Sequence, residues 1–115
     1  MKLIVGTDST WSLRAWICSQ LARLDIEISV VDLTSSGYKA EIFKYSDTGL
    51  LPALNLEGLN IQDSLAIAEY FNEHSKGCLY PESQTERALA RSLCAELHSG
   101  FMHLRANCPF SLKKI

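Results

Sequence analysis

No pair of cysteines in this 115-residue chain has C-x-x-C spacing, and that absence removes two classes of chemistry at once. Cys18, Cys78, Cys94 and Cys108 stand far apart, so neither a zinc knuckle nor a dithiol redox centre is signalled. They read as free thiols of a reducing, cytoplasmic compartment. No strong charge of one sign is present either. The formal net charge of -2 predicts no electrostatic attraction to nucleic acid or to an anionic membrane. Long hydrophobic runs are missing. The N-terminal Leu3-Ile4-Val5 soon meets Thr7 and Asp8, too short for a signal peptide or a membrane span. There is no internal repeat and no low-complexity stretch. What is present is 47% hydrophobic and 21% charged residues, the balance of a globular domain with a sizeable core.

Hydrophobic periodicity orders the chain. Leu3 to Gly6 reads as a buried strand. From Trp11 to Leu24, apolar residues recur at helical spacing behind the candidate N-caps Asp8, Ser9 and Thr10. Ile26 to Leu33 reads as a second strand, and Gly37 to Tyr45 as a weaker helix. Ala53 to Leu56 and Leu59 to Ile61 flank Glu57-Gly58, a hairpin turn, and Ser64 to His74 reads as a helix. The order βαβαββα resembles the thioredoxin-like arrangement. The expected fold is therefore α/β, with a thioredoxin-like unit over residues 1–82 that includes a linker at 76–82. Ser83 and Glu86 form a capping box that opens a further helix. Leu89, Leu93, Leu97, Phe101 and Leu104 make one apolar stripe along it, closed by Pro109. Residues 83–115 are expected to begin an all-helical domain that the chain does not finish. The exposed stripe predicts self-association.

Two phrases carry the chemistry. Ser9 follows the first strand and precedes the first helix. Its hydroxyl is either an N-cap or a donor to an anion, aided by the partial positive charge of the helix start. A thiol at that spot would be pushed toward thiolate, and a two-unit shift needs roughly 2.7 kcal/mol of differential stabilisation. Pro52 is either an edge marker or a cis proline. In the second case the N–H and C=O of Leu51 would face outward and pair with an extended peptide. Asp63 and Ser64 open a helix, as caps or as holders of an amino-acid head group, Ser64 for the carboxylate and Asp63 for the amine. Trp11 is either packed or a pocket wall. Lys39 is a solvated lysine by default but within reach of a terminal carboxylate, and Arg105 is a candidate for the cleft. His98 finds no partner in the sequence. No metal ligand set is expected.

These residues resemble the glutathione S-transferase superfamily. Ser9-Thr10-Trp11-Ser12-Leu13-Arg14 is similar to the serine-type segment of the zeta and tau classes and their bacterial relatives. Leu51-Pro52 matches the position of that family's cis-proline. Asp63-Ser64-Leu65-Ala66-Ile67 matches the turn that holds the γ-glutamyl group. The resemblance implies a cytoplasmic, homodimeric protein in which Ser9 donates to the glutathione thiolate. Thr10 and Trp11 stand beside it, Leu51 pairs with the cysteinyl unit, and Asp63 and Ser64 bind the γ-glutamyl end. It implies glutathione as co-substrate, a small-molecule electrophile, and conjugation or a glutathione-dependent isomerisation. The alternative is a non-catalytic, transferase-like module used in protein–protein contact. A glutaredoxin-type role is not expected, because Ser9 to Ser12 occupy the place where that chemistry needs a cysteine.

Overall fold

The computed structural model describes residues 1–113. The last two residues of the expected second unit, Lys114 and Ile115, lie outside the described residues. The elements are β1 (Lys2–Gly6), α1 (Thr10–Leu21), β2 (Glu27–Val31), α2 (Tyr38–Ile42), β3 (Ala53–Leu56), β4 (Leu59–Gln62), α3 (Ser64–His74), α4 (Gln84–Ser99) and α5 (Met102–Asn107). Four strands form one sheet in the order β2-β1-β3-β4. β1 runs parallel to β2, with Leu3 opposite Ile28, which requires the α1 crossover between them. β3 is antiparallel to β1, and the β3–β4 hairpin closes the other edge. The thioredoxin-like order is present as expected.

Strand alternation splits the core into two layers. Leu3 and Leu54 face one side, where they meet Ala15 and Ala22 of the α1 region and Ile67 and Phe71 of α3. Ile4 and Ala53 face the other, beneath Ile42 of α2 and beside Val31. Each large side chain buried in this way contributes about 1.5–3 kcal/mol. The sheet thus sits between α1 and α3 on one face and α2 on the other. This sandwich brings the β1–α1 turn, the start of β3 and the start of α3 to one end of the sheet.

Several boundaries differ from the sequence reading. α1 stops at Leu21 rather than Leu24: Ala22 caps it, Arg23 turns at φ 52°, and Leu24 packs on the core outside the helix. The expected long C-terminal helix is two helices. Gly100 lets the Glu96 carbonyl approach to 2.8 Å of where a Cβ would stand, and Phe101 turns at φ 61°. The Arg105 guanidinium then donates to the carbonyls of Gly100 (3.0 Å) and Leu97, satisfying the end of α4.

α4 buries no residue of its own. It is held by polar pins. Arg91 makes a bidentate pair with Glu69 of α3 (3.1 and 2.9 Å) and lies over the Tyr80 ring. Arg87 donates to the carbonyls of Pro81 and Glu82. The connection before it is tied to α3 by the buried Asn72, whose side chain accepts the Leu79 N–H at 3.0 Å. Leu89, Leu93 and Leu97 remain exposed, as the stripe predicts. Among the described residues, no helix is long and apolar enough to cross a membrane.

Candidate functional site

The site begins where β1 ends. After Gly6 the chain turns through Asp8 (φ 53°) into Ser9, whose extended backbone (φ -112°, ψ 112°) makes it the N-cap of α1. Its Oγ accepts the Ser12 N–H at 3.2 Å. The Ser9 proton is given to no group among the described residues. Capping uses a lone pair and leaves the O–H free, so the two readings of Ser9 are compatible rather than exclusive.

From Ser9 a groove of two adjoining lobes, which share three lining residues, lies along the end of the sheet. One lobe, about 560 Å³, is lined by Ser9, Tyr38, Lys39 and Phe43. The other, about 430 Å³, is lined by Trp11, Pro52, Gln62, Asp63, Ser64 and His98. Thr48, Leu50 and Leu51 belong to both lobes. The Leu51–Pro52 peptide is cis and Pro52 is buried. Neither the N–H nor the C=O of Leu51 makes a hydrogen bond to any described residue, so this stretch of backbone is available for strand-like pairing.

At the far end stands the start of α3. Asp63 adopts φ 77°, ψ 125°, and its Oδ1 accepts the N–H groups of Leu65 (2.8 Å) and Ala66 (3.2 Å). Its Oδ2 lies 2.7 Å from Nε2 of His98 on α4. Ser64 is 5% exposed, its hydroxyl meets no partner among the described residues, and it lines the groove. Trp11 lines the lobe at the α3 end. The His98 ring meets it edge-on at 5.3 Å, and the guanidiniums of Arg14 and Arg105 each lie 4.5 Å from its centroid. Burial, and then the charge of Arg105, hold Arg14 below the ordinary guanidinium range. This is a local excess of positive charge in a net-acidic chain.

The structure therefore brings Ser9, Trp11, Lys39, Leu51, Pro52, Asp63 and Ser64 to one groove. Thr10 opens α1 and lines neither lobe; Arg105 reaches the face of Trp11 without lining either lobe. Cys18 sits in the middle of α1, and burial pushes its thiol up. His98 and the 46–50 loop were missed. His98 does have a partner, Asp63, but it lies 35 positions away and no local pattern announces it. The loop is held by polar side chains that look solvated in the sequence. Buried Ser46 donates to the Leu50 carbonyl (2.8 Å). Gln62, in the amide orientation its neighbours require, accepts the N–H groups of Asp47 (2.6 Å) and Thr48 (3.2 Å).

Residues 8–74 match the family model described as glutathione S-transferase, N-terminal domain. The chain belongs to the glutathione S-transferase family. A probable maleylacetoacetate isomerase of Caenorhabditis elegans is 33% identical over 97 residues, 84% of this chain and 45% of that protein. A glutathione transferase homolog from Burkholderia, solved with bound glutathione, superposes with a TM-score of 0.72 at 33% identity, covering 91% of this chain and 56% of its own. Maleyl pyruvate isomerase, a bacterial zeta-class glutathione S-transferase, gives a TM-score of 0.73 at 25% identity over 91% of this chain and 50% of its own. The chain spans about half the length of the curated relatives it matches, 45% and 47%. The thioredoxin-like fold of the family accounts for the sheet order and for the gathering of three chain segments at one end of it.

Proposed function

We propose that this transferase-family chain binds glutathione in the groove and ionises its thiol at Ser9. The observation that carries the reading is that the two lobes meet at Leu51: a free hydroxyl lines one, an unpaired backbone edge lies on the shared rim, and a helix start with a free hydroxyl lines the other. In this reading the thiol sits at Ser9, where the O–H and the start of α1 favour thiolate over thiol. Leu51 pairs with the cysteinyl unit. Ser64, through its hydroxyl and its own N–H at the start of α3, receives the γ-glutamyl carboxylate, because the N–H groups of Leu65 and Ala66 are already taken by Asp63. Asp63 receives the ammonium: each of its oxygens already has a partner, but a carboxylate offers about four lone-pair sites, so room remains. Lys39 is within the other lobe for the terminal carboxylate, with Trp11 as a wall. Thr10 and Arg105 act on the site through the α1 start and Trp11. The thiolate then attacks a small electrophile, or adds reversibly to a double bond and isomerises it.

Residues 1–82, with the linker at 76–82, form the glutathione-binding unit in this reading, and 83–115 begin an all-helical unit. A cytoplasmic homodimer fits the four free cysteines and the exposed Leu89-Leu93 face. Titration calorimetry with glutathione, paired with conjugation of an aryl halide, tests the whole. Expected are saturable binding, measurable turnover, and loss of turnover by at least about tenfold in Ser9→Ala, at a stability cost of about 1 kcal/mol for the lost cap. Binding without turnover would favour a non-catalytic module, a reading to which the exposed α4 stripe lends support. Absence of binding would remove both.

A further inference from the structure

The end of β1 poses a hydrogen-bonding problem that one side chain solves. Thr7 N–H reaches back to the Val31 carbonyl of β2 at 3.1 Å, so the neighbouring Gly6 N–H points the other way, toward β3. The β1–β3 ladder ends at the Ile4–Ala53 pair, because beyond Ala53 the chain leaves the sheet through Pro52. The Gly6 N–H would be orphaned. Instead it donates to Oγ of Ser12 at 2.9 Å. Ser12 is 2% exposed and lies in the first turn of α1. The same residue's N–H donates to Oγ of Ser9 at 3.2 Å.

We infer that Ser12 is the positioning residue for the Ser9 hydroxyl. Its side chain fastens the helix start to the last strand amide, and its own amide occupies a lone pair of the Ser9 oxygen. With that lone pair engaged, the Ser9 proton is directed away from α1 and toward the groove. Gly6 is part of the device: a Cβ there would stand 2.7 Å from the Leu33 side chain, so the close approach of Leu33 to the strand end depends on glycine. Ser12 lines neither lobe of the groove. It acts through Ser9, so the inference rests on the proposed thiolate role of Ser9.

The test reads the pH midpoint of the thiolate ultraviolet absorbance of glutathione bound to this chain, with Ser9→Ala, Ser12→Ala, Ser12→Cys and Ser12→Thr compared. Ser12→Ala is expected to raise that midpoint by about one pH unit. Ser12→Cys, of similar size but a weak acceptor, should fall between, and Ser12→Thr, which keeps the oxygen, should return toward the starting value. A fall in thermal midpoint alone does not distinguish positioning from structure; the thiol midpoint does. If Ser9→Ala raises the midpoint while Ser12→Ala and Ser12→Cys leave it in place, the positioning role is overturned and the Ser9 reading stands. If Ser9→Ala leaves it in place, the Ser9 reading falls and the inference falls with it. Should Ser12→Ala not fold, the Cys and Thr pair decides the same question.

Discussion

Replacing Asp63 by alanine and, separately, by glycine separates its structural tasks from its proposed ligand role. The residue caps α3 with two hydrogen bonds, holds His98, and does both at φ 77°. Loss of the cap in Asp63→Ala costs about 1 kcal/mol. Loss of the exposed His98 contact adds about 0.5 kcal/mol. Alanine keeps a Cβ at a positive φ, where a side chain is strained by an amount of order 1 kcal/mol, so nothing is recovered. Asp63→Gly loses the same His98 contact, but glycine is a tolerable N-cap and adopts positive φ without penalty. The glycine variant should therefore be more stable than the alanine variant by about 1–2 kcal/mol. At about 5 °C per kcal/mol for a domain of this size, their thermal midpoints should differ by about 5–10 °C. Glutathione affinity should behave differently. Both variants lack the carboxylate proposed for the ammonium group, so both should bind roughly tenfold to a hundredfold more weakly, a loss of about 1.5–3 kcal/mol. Differential scanning calorimetry and titration calorimetry on the same three samples read both quantities. Equal stability of the two variants would refute the backbone argument, and undiminished affinity in both would refute the ligand role.

The core makes a simpler demand. Phe71 is fully buried between α3 and the sheet, so Phe71→Ala should cost about 3–5 kcal/mol in urea unfolding, a large share of the stability of an ordinary domain. The α3–α4 pin predicts a pH dependence. Arg91 donates to Glu69 and holds its carboxyl below the usual range, so the contribution is present above the unfolded carboxylate value of about 4.3 and is lost as pH falls through the lower folded one. Unfolding midpoints measured between about pH 6 and pH 3 should fall less steeply in Glu69→Gln than in the unchanged chain; parallel profiles would count against the pin. Self-association through α4 predicts a dimer in sedimentation that dissociates when Leu89 and Leu93 are both replaced by lysine. A monomer throughout would overturn the proposed interface.

Where sequence and structure agree, the signal is local and over-determined. β3 has the bounds read from Ala53 to Leu56 because a proline stands before it and the Glu57-Gly58 turn, at φ 30° and 89°, stands after it. α3 starts at Ser64 because Asp63 caps it. Ser9 was legible for the same reason, as an N-cap beside a strand end. Where they part, an apolar pattern had been asked to report on backbone. Leu24 continues the periodicity of α1 only because the same core draws it in from outside the helix.

The C-terminal stripe is the sharper case. Leu89, Leu93, Leu97, Phe101 and Leu104 keep helical spacing across a break at Gly100 and Phe101. That spacing records which side chains avoid water on one face; it is silent on whether the peptide units between them are hydrogen-bonded in series. The break depends on Arg105 supplying the end of α4 with donors, and Arg105 also lies over Trp11. The same side chain therefore ends a helix and packs on Trp11, which lines the groove. The role of a residue such as His98 becomes legible only when two elements distant in sequence are placed together. A local reading finds the groups at the helix starts, whereas the surroundings that orient them come from packing.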